Sequence, residues 1–84
     1  MNRRAHDPML TPRERDVLRA VVAGRTNREI ANDLQIGEQA VKNVLSIVYQ
    51  KCHVRNRLEL AVFAINHGLV SDDDVSAKKI QPRT

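Results

Sequence analysis

The sequence predicts an all-α fold of four helices, and three observations carry that prediction. Thr11-Pro12-Arg13-Glu14, Thr26-Asn27-Arg28-Glu29 and Asn56-Arg57-Leu58-Glu59 each place a capping residue three positions ahead of a glutamate, the pattern that starts a helix. Apolar residues recur at three- and four-residue intervals, as in Val41, Leu45, Val48 and Cys52. No segment alternates with period two for long enough to make a strand.

In the first element Pro12 occupies the first helical position, where its missing N–H is no loss. The helix turns Val17, Leu18, Val21 and Val22 inward and stops at Gly24, suited to a left-handed cap. The second opens on Thr26 and turns Ile30, Ala31 and Leu34 inward; at about two turns it needs packing to persist. Gln35-Ile36-Gly37 leads to the third, which spans about 38–52 with Gly37 as N-cap and Ile36 and Val41 as a hydrophobic staple. Its buried stripe is Val41, Leu45, Val48 and Cys52. The fourth opens on Asn56, is expected to bury Leu58, Ala61 or Val62, and Ile65, and ends at Gly68.

With 84 residues the chain makes one domain: a flexible arm over 1–9, a folded body over 10–70 and a polar tail over 71–84. Its 42% hydrophobic and 29% charged residues are those of a globular chain. At 2% aromatic it lacks the rings that a single-strand stacking platform requires. The net charge of +4 suits an anionic partner, and nine basic against six acidic residues keep the body cationic over 11–70. Cys52, the one cysteine, rules out an intrachain disulfide and is expected to be a buried thiol. The basic start leads into no apolar stretch and no run is long enough to span a membrane, so a cytoplasmic location is expected. His6, His53 and His67 have no patterned carboxylate partner, and no phosphate loop or nucleophile motif occurs. The chain is therefore not read as an enzyme, and no metal, cofactor or small-molecule ligand is expected.

Two helices joined by a short glycine-containing turn make a helix-turn-helix, whose second helix can enter the major groove of duplex DNA. With the stripe turned inward, the third helix presents Gln39, Lys42, Asn43, Ser46 and Gln50 outward. Lysine donates to guanine, asparagine and glutamine pair with adenine, and serine reads either. A solvated helix face carries the same residue types, so the face alone leaves both readings open.

Leu10-Thr11-Pro12-Arg13-Glu14-Arg15, Thr26-Asn27-Arg28-Glu29-Ile30-Ala31, Val41-Lys42-Asn43, Val54-Arg55-Asn56-Arg57 and the closing Asn66-His67-Gly68-Leu69-Val70 together resemble the LuxR-type (GerE- or NarL-type) DNA-binding domain of bacterial transcription regulators. The resemblance spans about residues 10–70 and implies a four-helix helix-turn-helix bundle of the LuxR/GerE type. It implies base contacts from Lys42, Asn43 and Ser46, to which the outward face adds Gln39. It also implies a weak homodimer, strengthened on DNA, through the fourth helix, where Leu60, Phe63, Ala64 and His67 follow i, i+3, i+4, i+7. Phosphate contacts are expected from Thr26, Asn27 and Arg28, and from Lys51, Arg55 and Arg57, read as a cluster at the junction of the third and fourth helices. Such domains usually follow a controlling domain, as in response regulators. Family members usually carry Ser or Thr at Gly37, Thr at Ala40, His at Val44 and a polar residue at Ile47. Val44 and Ile47 suit thymine methyls, a partner protein or, for Val44 above all, the body of the domain. Two other readings share the helix-turn-helix. One is a protein-interaction module that has lost DNA binding, motivated by Val44, Ile47 and the single Lys42; the other is the promoter-reading region of a sigma factor.

Overall fold

Each helix begins where the sequence supplies a cap. The structure, a computed structural model, describes residues 8–70. Within them α1 runs Pro12–Val22, α2 Asn27–Leu34, α3 Glu38–Cys52 and α4 Arg57–Asn66. The fold is all-α, with no strand among the described residues. Apart from Pro8 and Met9, the expected arm and the tail over 71–84 lie outside the described residues.

The first two capping boxes close in both directions. Thr11 Oγ1 accepts the Glu14 amide at 3.1 Å, and Glu14 Oε1 accepts the Thr11 amide at 2.9 Å; Thr26 and Glu29 repeat the pattern. The third is displaced. Asn56 Oδ1 accepts the Glu59 amide at 2.9 Å, but Glu59 Oε1 takes the amide of Arg55 at 2.8 Å. Gly37 gives α3 no side-chain cap, so packing rather than capping holds that helix.

All four helices end alike. The amides of Arg25, Ile36, Val54 and Leu69 donate to the carbonyls of Ala20, Ala31, Tyr49 and Ala64, five residues back. The residue before each donor is left-handed: Gly24, Gln35, His53 and Gly68. This is the Schellman closure. Glycine makes it without strain, whereas Gln35 and His53, both at φ 58°, take a Cβ into a region that costs about 1–3 kcal/mol. Ile36 and Val54, which follow them, fold back onto the core, and that burial offsets the strain.

The core joins Val17, Leu18 and Val21 of α1, Ile30 and Ala31 of α2, the α3 stripe, and Leu60 and Ala64 of α4. Helix α3 packs against the other three, and α1 also packs against α4. The stripes expected for α1 to α3 are those observed, with Val22 and Leu34 half-buried at the margin. Ile36 is half-buried against the core to which Val41 belongs. Cys52 is buried, and desolvation, then the charge of Glu14, pushes its thiol upward, which disfavours the thiolate.

Helix α4 departs from expectation. Leu60 and Ala64 have no exposed surface, whereas Leu58 is 73%, Val62 49% and Ile65 48% exposed. Leu60 and Ala64 are sealed in the core and not available for an interface between copies. Phe63 is half-buried against the core and stacks at 4.0 Å on exposed His67, whose Nδ1 lies 3.0 Å from the Phe63 carbonyl. The physical reason lies at Arg57. Its guanidinium bonds the Arg25 carbonyl and Asn27 Oδ1, which turns the Arg57 side of α4 toward the body. Leu60 and Ala64 follow three and seven residues later on that side.

Glu14 is the one buried charged residue among those described. Lys51 Nζ lies 2.7 Å from Glu14 Oε1 and also donates to the Met9 carbonyl at 2.9 Å. The end of α3 is thereby fastened to the start of α1. The Lys51 hydrogen bond, then the Thr11 amide, hold the Glu14 carboxyl below its ordinary value of 4.5, against burial, which acts upward. A lowered folded pKa means that the stabilisation is present above the unfolded value and lost as pH falls through the folded one. Glu14→Gln is expected to destabilise by about 1–2 kcal/mol near neutrality, the size of a charge-assisted hydrogen bond. Urea unfolding of both proteins from about pH 7 down to about pH 3 should show the gap closing in acid. A gap independent of pH would remove the Lys51 contact from the balance.

Candidate nucleic-acid interface

Helix α3 follows α2 through Gln35, Ile36 and Gly37. Its stripe of Val41, Leu45, Val48 and Cys52 is sealed in the core, so the opposite side must face water. Gln39, Lys42, Asn43, Ser46 and Gln50 are all exposed there. Gln39 Nε2 donates to Asn43 Oδ1 at 3.2 Å, which sets two amides in register and leaves the Asn43 NH₂ free to donate outward. Lys42 forms the cationic edge of this face. Val44 is half-buried against the core and belongs to the body. Ile47 does not: it is 44% exposed and follows Asn43 by one helical turn.

The basic residues that follow α1 fall into two groups. Arg25 pairs with Asp33 at 2.7 Å, Lys51 with Glu14, and Arg57 Nη1 donates to Asn27 Oδ1 at 2.8 Å. These hold the fold. Arg28, Lys42 and Arg55 are exposed. The expected cluster of Lys51, Arg55 and Arg57 does not form, because Lys51 reaches α1 and Arg57 reaches the start of α2, and only Arg55 is left exposed. Asn27 likewise spends its side-chain oxygen on Arg57. Thr26 caps α2, whose first-turn amides precede any intrahelical acceptor. An open groove runs between the starts of α2 and α3, past Arg25, Thr26, Arg28, Glu38 and Arg57. Arg25 was not singled out by sequence, since its partner Asp33 lies eight residues away and its carbonyl partner Arg57 thirty-two.

Among the described residues no group of three His, Cys, Asp or Glu side chains is placed to hold a metal ion. No described helix is long and apolar enough to cross a membrane. The short turn, the buried stripe of α3 and its polar outer face make α2 and α3 a helix-turn-helix. The chain belongs to the luxR family of bacterial regulatory proteins, whose GerE model matches residues 8–64. It is 39% identical over 61 residues to the spore germination protein GerE of Bacillus subtilis, covering 73% of this chain and 82% of that protein. It is 40% identical to the transcriptional regulatory protein YhcZ of the same organism, over 76% of this chain and 33% of YhcZ. To the transcriptional regulatory protein MctR of Rhizobium johnstonii it is 42% identical, over 77% of this chain and 30% of MctR. The chain thus spans about a third of the length of the two longer relatives.

Arg57 and Arg55 separate a structural role from a surface one. Arg57→Ala is expected to lower the unfolding free energy by about 1–2 kcal/mol, since it strands the Arg25 carbonyl and the Asn27 amide oxygen. Arg55→Ala should change it by under about 0.5 kcal/mol. Urea denaturation of the two variants checks the contrast, and equal effects would dissolve it.

Proposed function

We propose that this domain binds double-stranded DNA with α3 in the major groove, where Gln39, Lys42, Asn43 and Ser46 meet base edges. The observation that carries the reading is the outer face of α3: polar, exposed and backed by a fully buried stripe. Arg28, Arg55 and the amides of Asn27 and Arg28 at the start of α2 are the phosphate contacts. Lys51 and Arg57 act behind them by fixing α3 and α4. The domain serves as the cytoplasmic output domain of a bacterial transcription regulator.

Pairing of two copies uses the exposed side of α4, formed by Leu58, Val62 and Ile65, in place of Leu60 and Ala64. Three side chains offer far less than the about 800 Å² per partner of a standard interface. The free domain is therefore monomeric in the main, and pairing strengthens when DNA holds two copies side by side.

Fluorescence anisotropy of a labelled random duplex pool, at low and moderate salt, tests the groove assignment. Wild-type binding should weaken steeply with salt and Lys42→Glu should abolish it, while Arg28→Ala should lower the salt slope by about 1. Identical titrations for wild type and Lys42→Glu would send the search to a protein partner. Pairing is tested by Val62→Asp, on the exposed side of α4, with a cooperative melting curve showing that the variant folds. Sedimentation on a two-site duplex should then show one bound copy in place of two, and unchanged stoichiometry would move the interface off α4.

A further inference from the structure

We infer that Ile47 is a specificity-determining residue that reads the 5-methyl group of thymine beside the base contacted by Asn43; this rests on the proposed entry of α3 into the major groove. Ile47 is the one large apolar side chain of α3 that stands well out of the core, at 44% exposure, among an outward set that is otherwise polar. Helical geometry fixes its company. It lies four residues after Asn43 and three before Gln50, and so shares their side of the helix. Val44 on one flank is packed against the core, and on the other side of the arc Ser46 and Lys42 are exposed. Lys51, one turn further on, bends away to Glu14 and leaves no described charge beside Ile47 on α3.

The chemistry of the groove selects the ligand. Every hydrogen-bonding position on the major-groove base edges needs a donor or acceptor, and isoleucine has neither. The thymine methyl is the only apolar group displayed there. A polar groove wall would leave Ile47 desolvated with nothing gained, whereas a methyl packed on it removes apolar surface from both partners. Lys42, Ser46, Asn43 and Ile47 then read successive positions across the helix face, with the polar end specifying hydrogen bonds and the Ile47 end specifying thymine.

The experiment uses the 84-residue chain. Duplexes are selected from a random pool at low salt, and each thymine of the enriched sequence is replaced in turn by uracil, which removes only the methyl group. Wild-type protein is expected to bind about three- to fivefold more weakly at one thymine per half-site, the worth of one buried methyl group. Ile47→Ala should bind thymine and uracil duplexes equally at that position while keeping the losses caused by changing the base opposite Asn43. Position 47 is exposed, so the variant's thermal unfolding should match wild type. If no uracil substitution weakens wild-type binding, or if Ile47→Ala keeps the same penalty at the same position, the assignment is overturned while DNA binding stands. If no duplex is enriched, the groove reading and this inference fall together.

Discussion

The burial of one stripe on α3 sets the terms for the rest of the molecule. Val41, Leu45, Val48 and Cys52 are enclosed by residues from α1, α2 and α4, and each large side chain so enclosed contributes about 1.5–3 kcal/mol. Nothing else holds α3 at its start, since Gly37 offers no side-chain cap. Nor is α2 independent of it. Eight residues are too few for a helix to persist alone in water, so α2 exists because Ile30 and Ala31 pack against the same core. One constraint therefore fixes both members of the helix-turn-helix and the angle between them. It also dictates which side of α3 faces outward, and so which side chains are offered to a partner.

Charge is sorted by the same packing. A basic domain is easily read as a uniform surface for phosphate, but here Arg25, Lys51 and Arg57 are engaged by Asp33, Glu14 and the α2 entry. Each spans elements: Lys51 fastens the end of α3 to the start of α1, and Arg57 the start of α4 to the start of α2. What remains exposed beside α2, α3 and α4 is a sparse set of cations, Arg28, Lys42 and Arg55. Electrostatic attraction of that kind is strongly screened at physiological salt. On the proposed reading, affinity comes from the fit of α3 and from the joint binding of two copies.

The parts of this fold that were legible in sequence are the ones governed by neighbours three or four residues apart. The first two capping boxes and the α3 stripe are local and are found where the pattern puts them, while the Glu59 carboxylate of the third reaches the Arg55 amide instead. Two helix ends marked by glycine were equally plain. The ends at Gln35 and His53 carried no such mark, because their left-handed turns are sustained by Ile36 and Val54 folding onto a core that only the assembled protein provides. Helix α4 failed for a different reason. From Leu60 to Ile65 every residue is apolar, so the stripe through Leu58, Val62 and Ile65 and the stripe through Leu60 and Ala64 satisfy helical spacing equally well. Lys51 and Arg57 misled for a third reason: their partners lie 37 and 30 residues away, beyond the reach of any pattern argument.

That ambiguity in α4 is itself informative about function. A helix needing only to cover a core has one apolar side and one polar side. In α4 both sides are apolar, and Arg57 decides which is sealed. The surplus is an exposed apolar stripe that a lone domain has no use for, on a helix whose rotation is set by a contact to α2. Because α2 also abuts α3, the orientation of the candidate pairing surface and that of the candidate DNA-facing surface are tied through the same guanidinium. Two copies brought together on α4 would then have their α3 faces held at a fixed relation, which is the geometric requirement for reading two half-sites at a set spacing.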